Sequence, residues 1–104
     1  MRVIKPSTVR AYAKANPSAE EPLLAWLKIA RRANWTSIQD VRSSYPHADA
    51  MSVKSGRIVT VFNIGGNKFR LVVAIHYQWG RIFILRFMSH AEYDLDNYKW
   101  KRLL

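Results

Sequence analysis

The sequence has no cysteine and little glycine or proline, with four residues of each among 104. Without cysteine the chain has neither a disulfide framework nor thiolate chemistry, which excludes a secreted mini-protein held together by disulfides. It also lacks a run of about 18 apolar residues and an apolar amino-terminal segment, which mark membrane spans and signal peptides. We therefore expect a soluble, cytoplasmic protein with no membrane association.

Acidic residues are scarce. Seven Asp and Glu stand against seventeen Lys and Arg, which gives a formal net charge of +10. On so small a protein this excess produces a positive potential over much of the surface and predicts an anionic partner. The three histidines are too scattered in the sequence to suggest a metal cage, so we expect neither a metal ion nor a cofactor.

Apolar residues are plentiful by comparison. They make up 49% of the chain and include four Trp, five Tyr and four Phe. This composition supplies a hydrophobic core and argues against intrinsic disorder. Because domains commonly span about 100–200 residues, we expect residues 1–104 to form one domain.

The first half of the sequence is mainly helical in character. Ser18 and Glu21 have the spacing of a capping box, and apolar residues recur after them at helical spacing. The predicted order is a short strand, three helices and a loop, over about residues 1–5, 7–16, 19–33, 37–45 and 47–56.

The second half changes to β-branched and aromatic runs separated by glycine. Three strands are predicted, over residues 57–63, 67–77 and 81–88. A hairpin at Gly65-Gly66 joins the first two, and a capping box of Ser89 and Glu92 predicts a last short helix. The predicted fold is α+β: a small twisted, mainly antiparallel sheet with N-terminal helices packed on one face and a short C-terminal helix.

Side-chain alternation divides the middle strand of this sheet between two faces. The side chains expected under the helices are Phe69, Leu71, Val73, Ile75 and Tyr77. The opposite face is expected to be bare and to carry Lys68 and Arg70, joined by Arg86 from the next strand. Alternation places Arg86 on one face with Ile82, Ile84 and Met88. Lys68, Arg70 and Arg86 form either a cationic floor for phosphate oxygens or only a solvated sheet face.

Residues that suit acid–base chemistry follow the last strand. His90 lies in the first turn of the predicted helix, and Tyr93 lies three residues on, on the same helical face. Histidine is the side chain best suited to proton transfer near neutral pH. The alternative is that His90 is an ordinary first-turn residue and that Glu92 only closes the capping box.

The C-terminal segment is basic and aromatic. Tyr98 and Trp100 alternate with cations, namely Lys99, Lys101 and Arg102. This pattern is compatible with stacking on RNA bases and phosphate contacts from the cations, or with docking on a protein partner. The alternative is a disordered C-terminal tail, which is common for segments of this type.

Two segments together resemble the HigB-type toxins of bacterial toxin–antitoxin modules. They are VFNIGGNKFRLVV at residues 61–73 and HAEYD at residues 90–94, and the overall length and order of elements match as well. The resemblance implies a RelE-like fold and endonucleolytic cleavage of mRNA on translating ribosomes. It also implies neutralisation by a helix-turn-helix antitoxin of the HigA type.

The resemblance further implies metal-independent cleavage, in which the ribose 2′-OH attacks the adjacent phosphate and leaves a cyclic phosphate. On this basis His90 is expected to act as general base or acid, with Tyr93 as its partner. Lys68, Arg70 and Arg86 are expected to stabilise the charge that builds on the phosphate.

Two other functions are compatible with the same residues. A non-catalytic RNA- or ribosome-binding module would account for the charge of +10 and the basic, aromatic C-terminal segment. A toxin-derived interaction protein would use its basic surface only to bind an acidic segment of an antitoxin.

Overall fold

The computed structural model describes residues 1–95 and 99–104. The α-helices of this part are α1 (Pro6–Ala15), α2 (Glu20–Arg32), α3 (Ile38–Ser44) and α4 (His90–Asp94). The strands are β1 (Arg2–Ile4), β2 (Asp49–Ser52), β3 (Ile58–Ile64), β4 (Phe69–His76) and β5 (Arg81–Ser89). Short 3₁₀ helices cover Pro17–Ala19, Tyr77–Trp79 and Lys99–Leu103. None of the helices within the described ranges has the length and hydropathy that a membrane span requires.

The strands form one sheet in the order β1-β5-β4-β3-β2. β1 runs parallel to β5, and each other pair of neighbours is antiparallel. The predicted α+β fold with a mainly antiparallel sheet is confirmed. The loop predicted over residues 47–56 is wrong in part, because Asp49–Ser52 pairs with β3 as an edge strand. Three of its four residues are exposed, so it lacks the apolar pattern that reveals a strand.

The helices α1 and α2 cover one face of the sheet. Leu23, Trp26 and Leu27 of α2 are buried in the same core as Leu71 and Val73 of β4. The remaining members of the predicted helix-facing set, Phe69, Ile75 and Tyr77, pack at the border of the same core. The division of β4 between two faces is therefore confirmed.

The start of α2 differs from the prediction. Its N-cap residue is Ala19, which makes no side-chain capping hydrogen bond. Ser18 lies inside the preceding 3₁₀ helix, Pro17–Ala19, and so cannot cap α2 together with Glu21. The capping box predicted from Ser18 and Glu21 is therefore wrong, although the helix itself is confirmed.

Phe62 lies at the centre of an aromatic cluster under the helices. Its ring centroid lies 5.4 Å from that of Trp26, 6.1 Å from that of Trp35 and 5.2 Å from that of Tyr45. Phe62 and Trp26 are fully buried. These contacts attach α2, α3 and β3 to one another through large apolar surfaces.

Because of Tyr45, the stability of the protein is expected to depend on pH in the alkaline range. Burial raises the pKa of its phenol to about 12. The unfolded chain therefore loses this proton at lower pH than the folded chain, and stability is lost as pH rises from about 10 towards 12. Allowing for partial exposure, we expect a loss of about 1–2 kcal/mol. Urea unfolding at pH 9 and pH 11 measures it, and Tyr45→Phe should remove this part of the pH dependence.

The face of the sheet opposite α1 and α2 is not bare, contrary to the prediction. A second cluster of buried side chains lies on it: Val53, Val59, Val61, Val72, Met88, Tyr93 and Trp100. Tyr93 comes from α4 and Trp100 from the 3₁₀ helix Lys99–Leu103, so the C-terminal segment covers part of this face. Strand alternation does not reveal such a cover, because it comes from another part of the chain.

An irregularity in β5 changes the side on which its residues lie. Val72 pairs with Arg86, but Val73 pairs with Ile84, so Leu85 is an extra residue in β5. Ile84 packs at the helix-side core, whereas Arg86 lies on the opposite face. The prediction that Arg86 shares a face with Ile82 and Ile84 is therefore wrong, since it assumed unbroken alternation.

Candidate active site

The junction between β5 and α4 is fixed by the predicted capping box. The backbone N–H of Glu92 donates to Ser89 Oγ at 3.1 Å, and the backbone N–H of Ser89 donates to Glu92 Oε1 at 3.1 Å. The backbone N–H of His90 donates to the carbonyl of Lys68 at 2.8 Å. These bonds hold the first turn of α4 against the hairpin turn at residues 65–68.

Arg70 projects from the start of β4 beneath that junction and is only 8% exposed. Its Nη1 donates to the carbonyls of Asn67 and Phe69 at 3.2 and 3.1 Å, and its Nη2 donates to Asn67 Oδ1 at 2.7 Å. In the described part of the chain no carboxylate pairs with this guanidinium. Because a buried charge is costly without an opposite charge, the arrangement favours binding of an anion.

His90 links Arg70 to Asp94. Nη2 of Arg70 lies 3.1 Å from His90 Nδ1, and His90 Nε2 lies 3.2 Å from Asp94 Oδ2. A guanidinium can only donate, so the Nδ1 contact requires a lone pair on that nitrogen. The ring proton of neutral His90 is then on Nε2 and is donated to Asp94.

Tyr93 supports Arg70 with the face of its ring. The guanidinium carbon of Arg70 lies 5.5 Å from the centroid of that ring, which is a cation–π contact. The Tyr93 hydroxyl lies 3.8 Å from the sulfur of Met51. The described geometry thus brings the face of the Tyr93 ring to the guanidinium of Arg70.

Trp100 packs against Tyr93. The two rings stack with centroids 5.3 Å apart, and Trp100 Nε1 donates to the carbonyl of Tyr93 at 3.0 Å. Trp100 is only 3% exposed. The prediction that Trp100 stacks on RNA bases or docks on a partner is therefore wrong, because its ring is occupied within the fold.

Arg86 lies on the face of Arg70 but in a neighbouring groove. In an antiparallel sheet such diagonal neighbours are about 7–8 Å apart, since Arg70 pairs with Met88, two residues from Arg86. The groove has a volume of about 240 Å³ and is lined by Arg86, Met88, Glu92, Leu95, Trp100 and Leu103. Burial raises the pKa of Tyr12 on α1, and the positive charge of Arg86 opposes this rise.

The other predicted cations lie outside this constellation. Lys68 is an exposed residue of the hairpin turn rather than of the strand, and it contributes its carbonyl to the site. Lys101 is half-buried, with its carbonyl accepting from the backbone N–H of Lys54 at 3.2 Å, and Arg102 is exposed. The side chain of Lys99, like Tyr98, lies outside the described residues.

The structure therefore brings Arg70, His90 and Tyr93 together and adds two residues that the sequence did not single out. Asn67 holds the guanidinium, and Asp94 holds the imidazole. Asp94 lies four residues after His90, a spacing that brings side chains together on a helix. Among the described residues, no group of three or more His, Cys, Asp or Glu is placed to hold a metal ion.

Replacing Asn67 tests whether Arg70 is held in position. Asn67→Ala removes the acceptor 2.7 Å from Nη2, so the guanidinium should become less well placed. Since small misplacement of a reacting group costs up to about 100-fold in rate, we expect a fall of about 10- to 100-fold in whatever reaction Arg70 supports. Cleavage of a reporter RNA, the reaction that the resemblance implies, measures it, with Asn34→Ala at an exposed position between α2 and α3 as control. Equal rates for both variants would refute the positioning role.

The chain is similar to one protein family and to several of its members. The family model described as "HigB_toxin, RelE-like toxic component of a toxin-antitoxin system" matches residues 19–96, which include the site. The chain is 22% identical over 94 residues to "mRNA interferase HigB" of Escherichia coli O6:H1, covering 90% of this chain and 89% of that protein. It is 23% identical to "mRNA interferase toxin HigB" of Escherichia coli K12 and "mRNA interferase HigB" of Shigella flexneri, covering 90% of this chain and 88% of each relative.

Proposed function

Because this chain belongs to the HigB toxin family, the RelE-like toxic components of toxin–antitoxin systems, we propose that it is an mRNA interferase. An enzyme of this kind is an endoribonuclease that stops translation by cutting messages. As the toxic component it has a cognate antitoxin, which we propose to be a helix-turn-helix protein of the HigA type. We further propose that it cuts mRNA on the translating ribosome and needs no metal ion.

The contact between Arg70 and His90 carries this proposal. It joins a buried cation, which has no carboxylate partner among the described residues, to a histidine whose Nδ1 holds a lone pair. A phosphate that enters the site competes with His90 for the donors of Arg70, because guanidinium binds phosphate oxygens in a bidentate manner. When Nη2 turns to the phosphate, Nδ1 of His90 is released and can accept a proton.

The released Nδ1 takes the proton of the ribose 2′-OH as that oxygen attacks phosphorus. The bond from O2′ to phosphorus forms, the bond from phosphorus to O5′ breaks, and the leaving O5′ takes a proton from water. The products are a 2′,3′-cyclic phosphate and a 5′-hydroxyl. Asp94 holds the imidazole at Nε2 while it is charged, and Arg70 stabilises the negative charge on the phosphate oxygens.

Lys68 and Arg86 act at the edges of this site. Lys68 is exposed on the adjoining turn, and Arg86 lies on the same sheet face as Arg70. They bind the phosphates that flank the cleaved bond, and Arg102 extends the basic surface at the C-terminal 3₁₀ helix. Lys99 and Lys101 belong to the same proposed RNA surface.

The experiment is brief induction of the chain in bacteria without its antitoxin, followed by mapping of RNA ends. Wild type should arrest growth and produce new mRNA ends with 5′-hydroxyls. His90→Ala should lower cleavage by about 100-fold or more, since it removes the base. His47→Ala is the matched control, because His47 is exposed and distant in sequence from the site. Undiminished cleavage by His90→Ala would refute the assigned base.

The non-catalytic RNA- or ribosome-binding module is the second candidate, and the net charge of +10 favours it. It predicts growth arrest with strongly salt-dependent RNA binding but no new RNA ends. The same mapping therefore separates the two functions. An interaction protein that binds only an antitoxin would produce neither arrest nor cleavage.

A further inference from the structure

The end of the sheet farthest from α4 carries a second group of cationic and aromatic side chains. Register places Arg2 beside Arg81 across β1 and β5, and Arg81 beside His76 across β5 and β4. All three are exposed. Trp79, in the 3₁₀ helix between β4 and β5, is 65% exposed. We call these four residues, together with Phe83 of β5, the far-end patch.

The cations of the far-end patch lie on the sheet face that carries Arg70. Val3 and Ile82, the residues after Arg2 and Arg81, are buried in the core under the helices. Because side chains alternate along a strand, Arg2 and Arg81 lie on the opposite face. Register confirms this, since Arg81 pairs with His76, which is six residues from Arg70 along β4.

Within residues 1–95 and 99–104, no carboxylate forms an ion pair with Arg2 or Arg81. Like charges directly beside each other in a sheet are destabilising, and Arg2 and Arg81 are lateral neighbours. A bound anion would relieve this repulsion, and guanidinium groups are well suited to phosphate.

Aromatic rings accompany these cations. The His76 ring lies 4.9 Å from that of Phe83, at an angle of 56°. Exposed Trp79 adds a large indole at the same end of the sheet. Aromatic rings combined with cations are the means by which proteins bind single-stranded nucleic acid, with bases stacking on the rings and phosphates contacting the cations.

We propose that the far-end patch is a second binding site for the single-stranded RNA that is cut at His90. This inference rests on the proposed function for the identity of the RNA as substrate. Along β4, the six residues from Arg70 to His76 span about 20 Å. That distance corresponds to several nucleotides of extended RNA. Arg86 lies on the same face between the two sites.

The position of the far-end patch predicts its effect on RNA binding. At about 20 Å from Arg70 along β4, the far-end patch can bind the substrate but cannot touch the atoms that react. The patch should therefore make binding depend on RNA length, because only an RNA that reaches from His90 to the patch can bind both sites at once. A dinucleotide is too short to do so.

Trp79 supplies the signal for the test. The other tryptophans, Trp26, Trp35 and Trp100, are buried, so an exposed indole dominates quenching by added ligands. The ligands are 2′-O-methyl RNA oligonucleotides of two and eight residues, which cannot be cleaved through a 2′-OH. We expect the octanucleotide to quench Trp79 and to bind more tightly than the dinucleotide.

Arg81→Ala should weaken octanucleotide binding by about five- to tenfold and leave dinucleotide binding unchanged. The slope of log affinity against log salt should decrease in magnitude by about 0.7 for each phosphate that the variant no longer neutralises. Arg10→Ala, an exposed arginine on α1, is the matched control. Binding is read by anisotropy of a labelled oligonucleotide as well as by quenching.

Equal octanucleotide binding by Arg81→Ala and Arg10→Ala would overturn the proposal. Equal quenching of Trp79 by an acidic peptide of the same charge would also overturn it, because the site would then be a protein-binding surface. Failure of the proposed function gives a different result, which is absence of cleaved transcripts on induction of the wild type.

Discussion

Replacing Arg70 by lysine is expected to lower the rate of RNA cleavage by about 100- to 1,000-fold, as for loss of a well-placed donor to transition-state charge. Lysine keeps the charge but not the planar set of donors. Arg70 contacts Asn67 and His90 at the same time, through Nη1 and Nη2. A single ammonium group cannot hold the phosphate in the same bidentate geometry.

The measurement is single-turnover cleavage of a reporter RNA by the purified variant. Arg10→Lys on α1 makes the same chemical change on an exposed helix surface and should keep the wild-type rate. Thermal unfolding of both variants shows whether a reduced rate reflects a disrupted fold. Wild-type cleavage by folded Arg70→Lys would show that a bidentate donor at this position is not needed.

Phe62→Ala is expected to destabilise the protein by about 3–5 kcal/mol, the usual loss for a buried phenylalanine. Phe62 is fully buried and contacts the rings of Trp26, Trp35 and Tyr45. Small domains are stable by only about 5–15 kcal/mol, so this change removes a large fraction of the total. Toxicity in cells should disappear although no residue of the site is altered.

Urea unfolding measures the effect, and Phe62→Leu is the control because it keeps most of the apolar volume. Ile58→Ala, at a position 58% exposed, should cost far less than Phe62→Ala. A loss below about 1 kcal/mol for Phe62→Ala would show that this ring does not stabilise the packing of α2, α3 and β3. The comparison also separates loss of toxicity by unfolding from loss of catalysis.

Local sequence patterns correctly predicted the division of β4 between two faces and the start of α4. Alternation along β4 assigned Leu71 and Val73 to the helix-side core, and the capping box of Ser89 and Glu92 fixed the start of α4. Both patterns depend on residues close together in the sequence, where the period of a strand or a helix acts directly.

Structural features that depend on contacts between distant segments could not be predicted from local patterns. The extra residue at Leu85 changes the alternation of β5, and nothing in a uniform apolar run marks the position of a bulge. The edge strand β2 forms because β3 offers free backbone groups, not because its own residues are apolar. Trp100 covers part of the sheet face opposite α1 and α2, and this packing likewise depends on contacts with residues distant in the sequence.

The candidate site shows the same division. His90 and Tyr93 were identified from their positions within one helical turn, and Arg70 from its place in β4. The bond from Arg70 to His90 joins residues 20 apart, and the role of Asn67 depends on the conformation of the hairpin turn. Their contacts therefore became visible only in three dimensions, although each residue belongs to the segments that resemble HigB-type toxins.

In the proposed site, Arg70, His90 and Tyr93 surround the phosphate that is cut. A crystal structure with a bound RNA that carries a 2′-O-methyl group at the cleavage position tests it directly. We expect the phosphate next to this group to accept hydrogen bonds from Arg70 and the blocked 2′ oxygen to lie within reach of His90 Nδ1. RNA seated instead on the surface of α1 and α2, with the contact between Arg70 and His90 intact, would contradict the account.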